Sequence, residues 1–256
     1  MALRLSQSHL AVLALCPRKF QYLYLDQIGE IGGEIQQPMV WGSQFHQLML
    51  QQDIGLPVPL TDVATDPELS RCVAVLKAVA PQLFDPASVR QSEYPISAAV
   101  AGHTLVAVYD RLLLKGDRAI IYDWKTYAKP LSPSDLANQW QTRLYLYLLA
   151  QVGEYAPQAL SMVYWFVRLT PSHPQPTSVE LHYSAAQHQQ THAELTQRLQ
   201  QLNHWLDHYS RQALPQLPAD SPHCARCPFA VCCDRLPSQR EAHQLLALDS
   251  IDELPP

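Results

Sequence analysis

Apolar positions recur at helical spacing from residue 6 to residue 25, with Leu10, Leu13 and Phe20 in one stripe and Ser6 or Ser8 placed to cap it. Pro17, directly after Cys16, divides this stretch into two short helices. Helical patterns return at 40–52 and 68–80, separated by a Pro-rich loop that runs to Pro67. From residue 89 the character changes. Residues 89–97, 103–115 and 118–127 are rich in β-branched and aromatic types and read as consecutive strands. A helix over 133–151 follows, capped by Ser132 or Ser134, then strands at 160–169 and 178–183 and a long polar helix over 185–212. The order predicts an α/β fold in which helices cover a central sheet. One domain is expected, with a helical part over 1–88, a core over 89–213, a cysteine segment over 214–240 and a tail over 241–256.

Composition narrows the function. Hydrophobic residues make up 47% of the 256, charged residues only 16%, and 18 basic against 23 acidic groups leave a net charge of −5. That balance argues against a general electrostatic grip on a polyanion, which depends on Lys and Arg neutralising phosphates. If the substrate is nucleic acid, basic groups must be concentrated locally and metal ions must supply positive charge where the chemistry occurs. Polar residues Ser6 to His9 interrupt the N-terminal apolar stretch, and Arg18 and Lys19 stand where a signal cleavage site would be needed. With no apolar run near the ~18 residues of a membrane span, a cytoplasmic protein is expected. In a reducing compartment, close cysteines read as metal ligands before disulfides.

The stretch from Thr104 to Tyr127 carries the most information. Gly116 and Asp117 separate two strands, and Gly at the first central position suits a type II′ turn. Pairing Lys115 with Arg118 and counting outward sets Asp110 opposite Asp123. Opposed like charges destabilise a sheet, so a divalent cation is the natural offset. Lys125 shares a face with Asp123 by the two-residue period. Two acids and a lysine on one face fit phosphodiester hydrolysis with Mg²⁺ or Mn²⁺. The plain alternative is a surface hairpin with scattered charges, since a one-residue slip in register sends one acid to the other face. Gln141 and Tyr145 share a face of the following helix, and His46 stands on an upstream one. Glu93 opens the strand group as a further acid, with a surface role equally open.

Near the C-terminus, Cys224 and Cys227 form a C-x2-C pair, a strong metal-ligand spacing. Cys232 or Cys233 supplies a third ligand and Cys16 most simply a fourth, a closure that would join the two ends of the chain. Zinc and a [4Fe–4S] cluster both suit four thiolates, and spacing does not choose between them. Cys72 reads as a buried small hydrophobe, and the His188/His192 and His204/His208 pairs as solvated faces.

Taken in order, these motifs resemble the PD-(D/E)XK nucleases of the RecB type. The likeness is to the branch with a four-cysteine iron–sulfur cluster found in the AddB nuclease domain and in a CRISPR-associated nuclease. The segment from Leu5 through Cys16 to Tyr22 resembles the opening signature, and Gly42 to His46 the histidine motif. Asp110 with Arg111 resembles the first acid, Asp123 to Thr126 the D-x-K motif, and Gln141 to Tyr145 the Q-x3-Y motif. Cys224, Cys227 and Cys233 fit C-x2-C-x5-C. The resemblance implies a restriction-endonuclease-like mixed sheet flanked by helices, with the cysteine segment tied to the N-terminal helix. It implies that His46, Asp110, Asp123 and the Trp124 backbone carbonyl bind a catalytic Mg²⁺ or Mn²⁺ and that Lys125 is the catalytic lysine. Gln141 and Tyr145 would position DNA or Lys125, and Cys16, Cys224, Cys227 and Cys233 would hold [4Fe–4S]. Val108 and Tyr109 stand where the family carries a glycine before its first acid, a departure that would narrow the cleft. Arg18, Lys19, Lys129 and Arg143 lie near the motifs and are candidate phosphate contacts. The expected function is a DNA exonuclease of repair or recombination, acting on single-stranded or duplex ends beside a helicase. The alternative is a catalytically silent DNA- or helicase-binding module with a structural metal centre.

Overall fold

The computed structural model describes residues 1–28, 37–56, 66–85, 89–127 and 131–235. Lys129 and the tail from residue 236 lie outside them. The chain divides into two compact units, one of Met1–Ala11 with Glu34–Asp207, the other of Val12–Gly33 with His208–Pro256.

The first unit is an α/β layer structure around a mixed six-stranded sheet, the restriction-endonuclease-like arrangement. Its strands are β1 (Arg4–Leu5), β2 (Val89–Val100), β3 (His103–Lys115), β4 (Arg118–Lys125), β5 (Leu160–Phe166) and β6 (Thr177–His182). Strand β2 pairs antiparallel with β3 along nearly its whole length. The other edge of β3 is shared by β1, parallel at Thr104 and Leu105, and by β4, antiparallel from Arg111 to Lys115. The sheet continues through β5, parallel to β4, to β6, antiparallel to β5. The two-residue strand β1 has no sequence periodicity to announce it.

Helices α3 (Gln37–Asp53) and α4 (Pro67–Val79) supply one cover. Trp41, Phe45, Met49, Leu69 and Leu76 pack there with Tyr122, Trp124, Val163 and Trp165 of the sheet. Helix α4 starts on Asp66, whose carboxylate accepts from the Glu68 amide, with Pro67 at the first helical position. Cys72 is fully buried in this layer, as its apolar surroundings predict.

The opposite face meets the stretch expected as one helix over 133–151. It forms two, α5 (Pro133–Asn138) and α6 (Trp140–Val152), with Gln139 extended between them. The Leu136 carbonyl accepts from the Gln139 amide and the Thr142 hydroxyl, which removes the acceptor a continuous helix would need. With both faces covered, all seven residues of β5 are buried. The long helix α7 (Ala185–His208) ends four residues before the expected 212.

In the second unit, residues 12–28 meet residues 208–235. Here helix α1 (Gln7–Leu15), which crosses the unit boundary, gives way at Pro17 to α2 (Pro17–Phe20) and a π-helical turn over Gln21–Leu25. Gln21 accepts from the Leu214 amide at 2.8 Å, and the Arg18 Nε donates to the Leu214 carbonyl at 2.6 Å. Tyr22 packs on Phe229 with ring centroids 5.4 Å apart and donates to the Cys232 carbonyl at 2.8 Å.

Candidate active site

The β3–β4 register is the one counted from the turn, with Lys115 opposite Arg118 and Arg111 opposite Tyr122. Gly116 takes φ 61°, as a type II′ turn requires. One step further, Asp110 faces Asp123. On the other edge of β3, Ser92 pairs with Arg111 and Tyr94 with Tyr109, which leaves Glu93 facing Asp110. Three carboxylates, Glu93, Asp110 and Asp123, therefore form one row across β2, β3 and β4; the β2–β3 ladder is interrupted at Glu93 and Asp110, and the β3–β4 ladder ends at the pair before Asp123. Glu93 adopts φ 49°, a left-handed conformation that costs a non-glycine residue about 1–3 kcal/mol and clusters at functional sites.

Helix α3 brings His46 to this row. Its Nδ1 lies 3.3 Å from Asp110 Oδ1, and ligand atoms of His46, Glu93 and Asp110 all lie within 4.8 Å of one another. Gly42 explains how the helix comes so near. A Cβ there would sit 2.9 Å from the Thr126 hydroxyl, just past Lys125, so a larger residue would require either that side chain or the helix to shift. Trp41, Phe45 and Trp124 fix its rotation, with Trp41–Phe45 and Phe45–Trp124 centroids at 5.8 and 6.3 Å. Lower on the same helix, Asp53 accepts two bonds from the buried Arg111 guanidinium, at 2.8 and 2.6 Å. That pair ties α3 to the residue beside Asp110, and the Arg111 guanidinium lies 5.0 Å over the Trp124 ring.

Asp123 has separate partners. Its Oδ1 accepts from Gln141 Nε2 at 2.5 Å, and Lys125 Nζ lies 2.7 Å from Oδ2. Lys125 also donates to Gln141 Oε1 at 2.7 Å, closing a triangle of acid, lysine and amide. Lys125 meets Oδ2 as ion-pair and hydrogen-bond partner, and a carboxylate oxygen so engaged still carries a second lone pair. Asp123 is 3% exposed. Burial, with the Asp110 charge behind it, pushes its carboxyl up to about 6 against the opposing pull of Lys125. For His46, burial disfavours the cation, but the bond to Asp110 and the surrounding acids outweigh it and its pKa rises. Burial and Asp110 raise Glu93. Burial, with the Asp123 charge adding to it, lifts the Tyr145 phenol far above its usual range against the opposing pull of Gln141.

The break at Gln139 lets α6 begin at Trp140, placing Gln141 in its first turn. Thr142 bridges to the Tyr164 hydroxyl at 2.7 Å and locks that start onto β5. Tyr109, in the place of the family glycine, is buried and donates to the Tyr145 carbonyl at 2.9 Å, so its bulk docks α6. The Trp124 amide donates to Asp110 Oδ2 at 2.7 Å. N–H and C=O of a strand residue point the same way, so the Trp124 carbonyl leaves β4 on the Asp110 side.

The structure thus brings His46, Asp110, Asp123, Lys125, Gln141 and Tyr145 together and adds Glu93, whose place the sequence left open. The signal for Glu93 was the turn at Ala101 and Gly102, φ 47° and 84°, from which counting back reaches Glu93 opposite Asp110. With the strand expected to stop at 97, that count had no start. Among the phosphate candidates, Lys129 lies outside the described residues. Arg143 pairs with Glu194 at 2.5 Å and stacks 4.4 Å over Trp140, while Arg18 serves the Leu214 carbonyl. His188 and His192 stack on Tyr147, with centroids at 5.1 and 5.9 Å.

In the second unit, Cys16, Cys224, Cys227 and Cys233 line one cavity of about 90 Å³ together with Lys19 and Tyr22. Cys232 is exposed, and its carbonyl, not its sulfur, meets Tyr22. Cys16 caps α2, accepting from the Lys19 amide at 3.5 Å, and Arg235 donates to Cys224 Sγ at 3.1 Å. No three of these sulfurs lie within 4.8 Å of one another.

A family profile described as the PD-(D/E)XK nuclease superfamily matches residues 4–100 and 82–234. No curated protein matches the sequence. Among solved structures, a candidate exonuclease from Eubacterium rectale superposes with TM-score 0.53 at 12% identity over 86% of each chain. An alkaline exonuclease from Laribacter hongkongensis gives TM-score 0.37 at 13% identity, over 81% of this chain and 92% of that one.

Proposed function

The chain belongs to the PD-(D/E)XK nuclease superfamily, and from that premise we propose that it is a divalent-metal-dependent DNA exonuclease. The supporting observation is the carboxylate row with His46 at one end and the Asp123–Lys125–Gln141 triangle at the other. The donor set fits a hard cation: a histidine nitrogen and carboxylate oxygens close enough to share one ion, and a buried Asp123 oxygen with a lone pair to give. His46, Asp110, Asp123 and the Trp124 carbonyl would hold it, with Glu93 as an added acid. When bound, Mg²⁺ or Mn²⁺ polarises the scissile phosphate and eases ionisation of the attacking water.

The chain's own groups do the rest. Lys125, fixed between Asp123 and Gln141, directs its ammonium at the nucleophile and offsets charge developing on the phosphate. Gln141 fixes the lysine from one side, with Tyr145 one turn on along the same helix face. Asp123, ionised, keeps Lys125 charged and in place.

In the second unit we propose that Cys16, Cys224, Cys227 and Cys233 hold a [4Fe–4S] cluster. Four thiolates around one cavity suit tetrahedral zinc and the cluster alike, and the likeness to the RecB-type branch with four cysteines favours the cluster. Action in repair or recombination in the cytoplasm, with a helicase, extends the same reading by its likeness to the RecB-type branch.

The test is incubation of anaerobically purified protein with end-labelled single-stranded and duplex DNA and Mn²⁺, beside Lys125→Ala. Cleavage that the variant loses, from a protein with brown iron–sulfur absorbance, is expected. Binding without cleavage under any divalent ion would replace this reading with a silent binding module.

A further inference from the structure

The face of the sheet that carries Asp123 and Lys125 also carries a run of aromatic rings. In the parallel β4–β5 register Asp123 lies beside Tyr164 and Lys125 beside Phe166, so these four side chains share a face. Lys125 Nζ sits 5.1 Å from the Tyr164 ring centroid. Tyr127, next on the two-residue period, sets its ring edge-to-face on Phe166, with centroids 5.6 Å apart and planes at 68°. Tyr164 and Phe166 are 0% and 3% exposed, whereas Tyr127 is 41% exposed. It is the open end of the row, two residues from the lysine. The Asp123 charge reaches it, adding to the larger effect of burial in raising the phenol above its ordinary range.

A chain with net charge −5 and a row of carboxylates at its reacting centre has little electrostatic hold on a nucleic-acid strand. Stacking supplies a hold that ignores phosphate charge and base identity alike. Trp140 does not offer the same service, because the Arg143 and Arg198 guanidiniums stand over its ring at 4.4 and 5.5 Å. We propose that Tyr127 is a substrate-positioning residue whose exposed ring stacks on a nucleobase of the strand being cleaved, setting the neighbouring phosphodiester against Asp110, Asp123 and Lys125. This rests on the nuclease reading above.

The test compares wild type, Tyr127→Phe and Tyr127→Ala on a single-stranded oligonucleotide with Mn²⁺, intact or fully abasic. Tyr127→Ala is expected to lower kcat/KM about tenfold on the intact strand, the size of one base stack, with Tyr127→Phe close to wild type. On the abasic strand the wild-type advantage over Tyr127→Ala disappears. An equal loss on both strands, or none on the intact strand, overturns the proposal. A second measurement needs no cleavage: 2-aminopurine placed near the strand end, with Ca²⁺ in place of Mn²⁺. Quenching by wild type and Tyr127→Phe but not Tyr127→Ala supports stacking, and equal quenching by all three refutes it. Failure of the nuclease reading shows separately, as quenching without cleavage by wild type.

Discussion

The two units place their chemistry by opposite means. In the first, the candidate site groups come from α3, β2, β3, β4 and α6, and each is held in place by sheet register, a helix start or the Asp53–Arg111 pair. In the second, three of four sulfurs come from the ten residues Cys224 to Cys233, and the cavity wall is mostly loop. The difference follows from what is buried. A carboxylate out of water is costly unless paired and bonded, so Asp123 needs Lys125 and Gln141 fixed around it. A neutral thiol behaves as a small hydrophobe and demands no such frame until a metal centre arrives.

Removing Lys125 should break the first arrangement most sharply. Lys125→Ala is expected to cut kcat by about a thousandfold and to cost about 3 kcal/mol of stability, because Asp123 is left buried without its cation. Denaturant melts of Lys125→Ala beside Lys125→Ala/Asp123→Asn check the cause, since the double variant should recover much of the stability and none of the activity.

Cys227→Ser should break the second region and spare the first. Iron content and visible absorbance are expected to fall, with a loss of several kcal/mol from the metal-coupled unit. Hydrogen exchange should rise in residues 208–235 while β3 and β4 keep their protection.

Acidity separates stability from activity at Asp123. Its folded pKa of about 6 lies above the 3.8 of an ordinary aspartate, so the native state binds the extra proton. Its contribution is complete below pH 3.8 and is lost as pH rises through about 6, roughly 3 kcal/mol in all. Melts in EDTA from pH 4 to pH 7 should show that decline, and Asp123→Asn should flatten it. Cleavage should also rise with pH, at lower pH than the melts, because a bound cation favours the carboxylate.

The smallest effect sharpens the comparison at its newest member. Glu93→Gln keeps the side-chain shape and removes one charge from the row, so Mn²⁺ affinity by calorimetry should weaken about tenfold. An unchanged affinity would return Glu93 to the sheet surface.

Much of this was legible in the chain. Alternation and turn chemistry predicted β3, β4 and their register, because a two-residue turn fixes every later pair. The C-x2-C spacing located the sulfurs, although only the fold shows Cys233 in the cavity and Cys232 outside it. The tertiary structure alone decided the break at Gln139, since the Thr142 hydroxyl, held against Tyr164, takes the Leu136 carbonyl that would have continued the helix. It also decided the approach of α3 through Gly42, the Asp53–Arg111 tie and the place of Glu93. Local sequence sets the period and register of neighbouring strands. Which helix reaches which strand depends on contacts between residues far apart in the chain, and those settle only when the core packs.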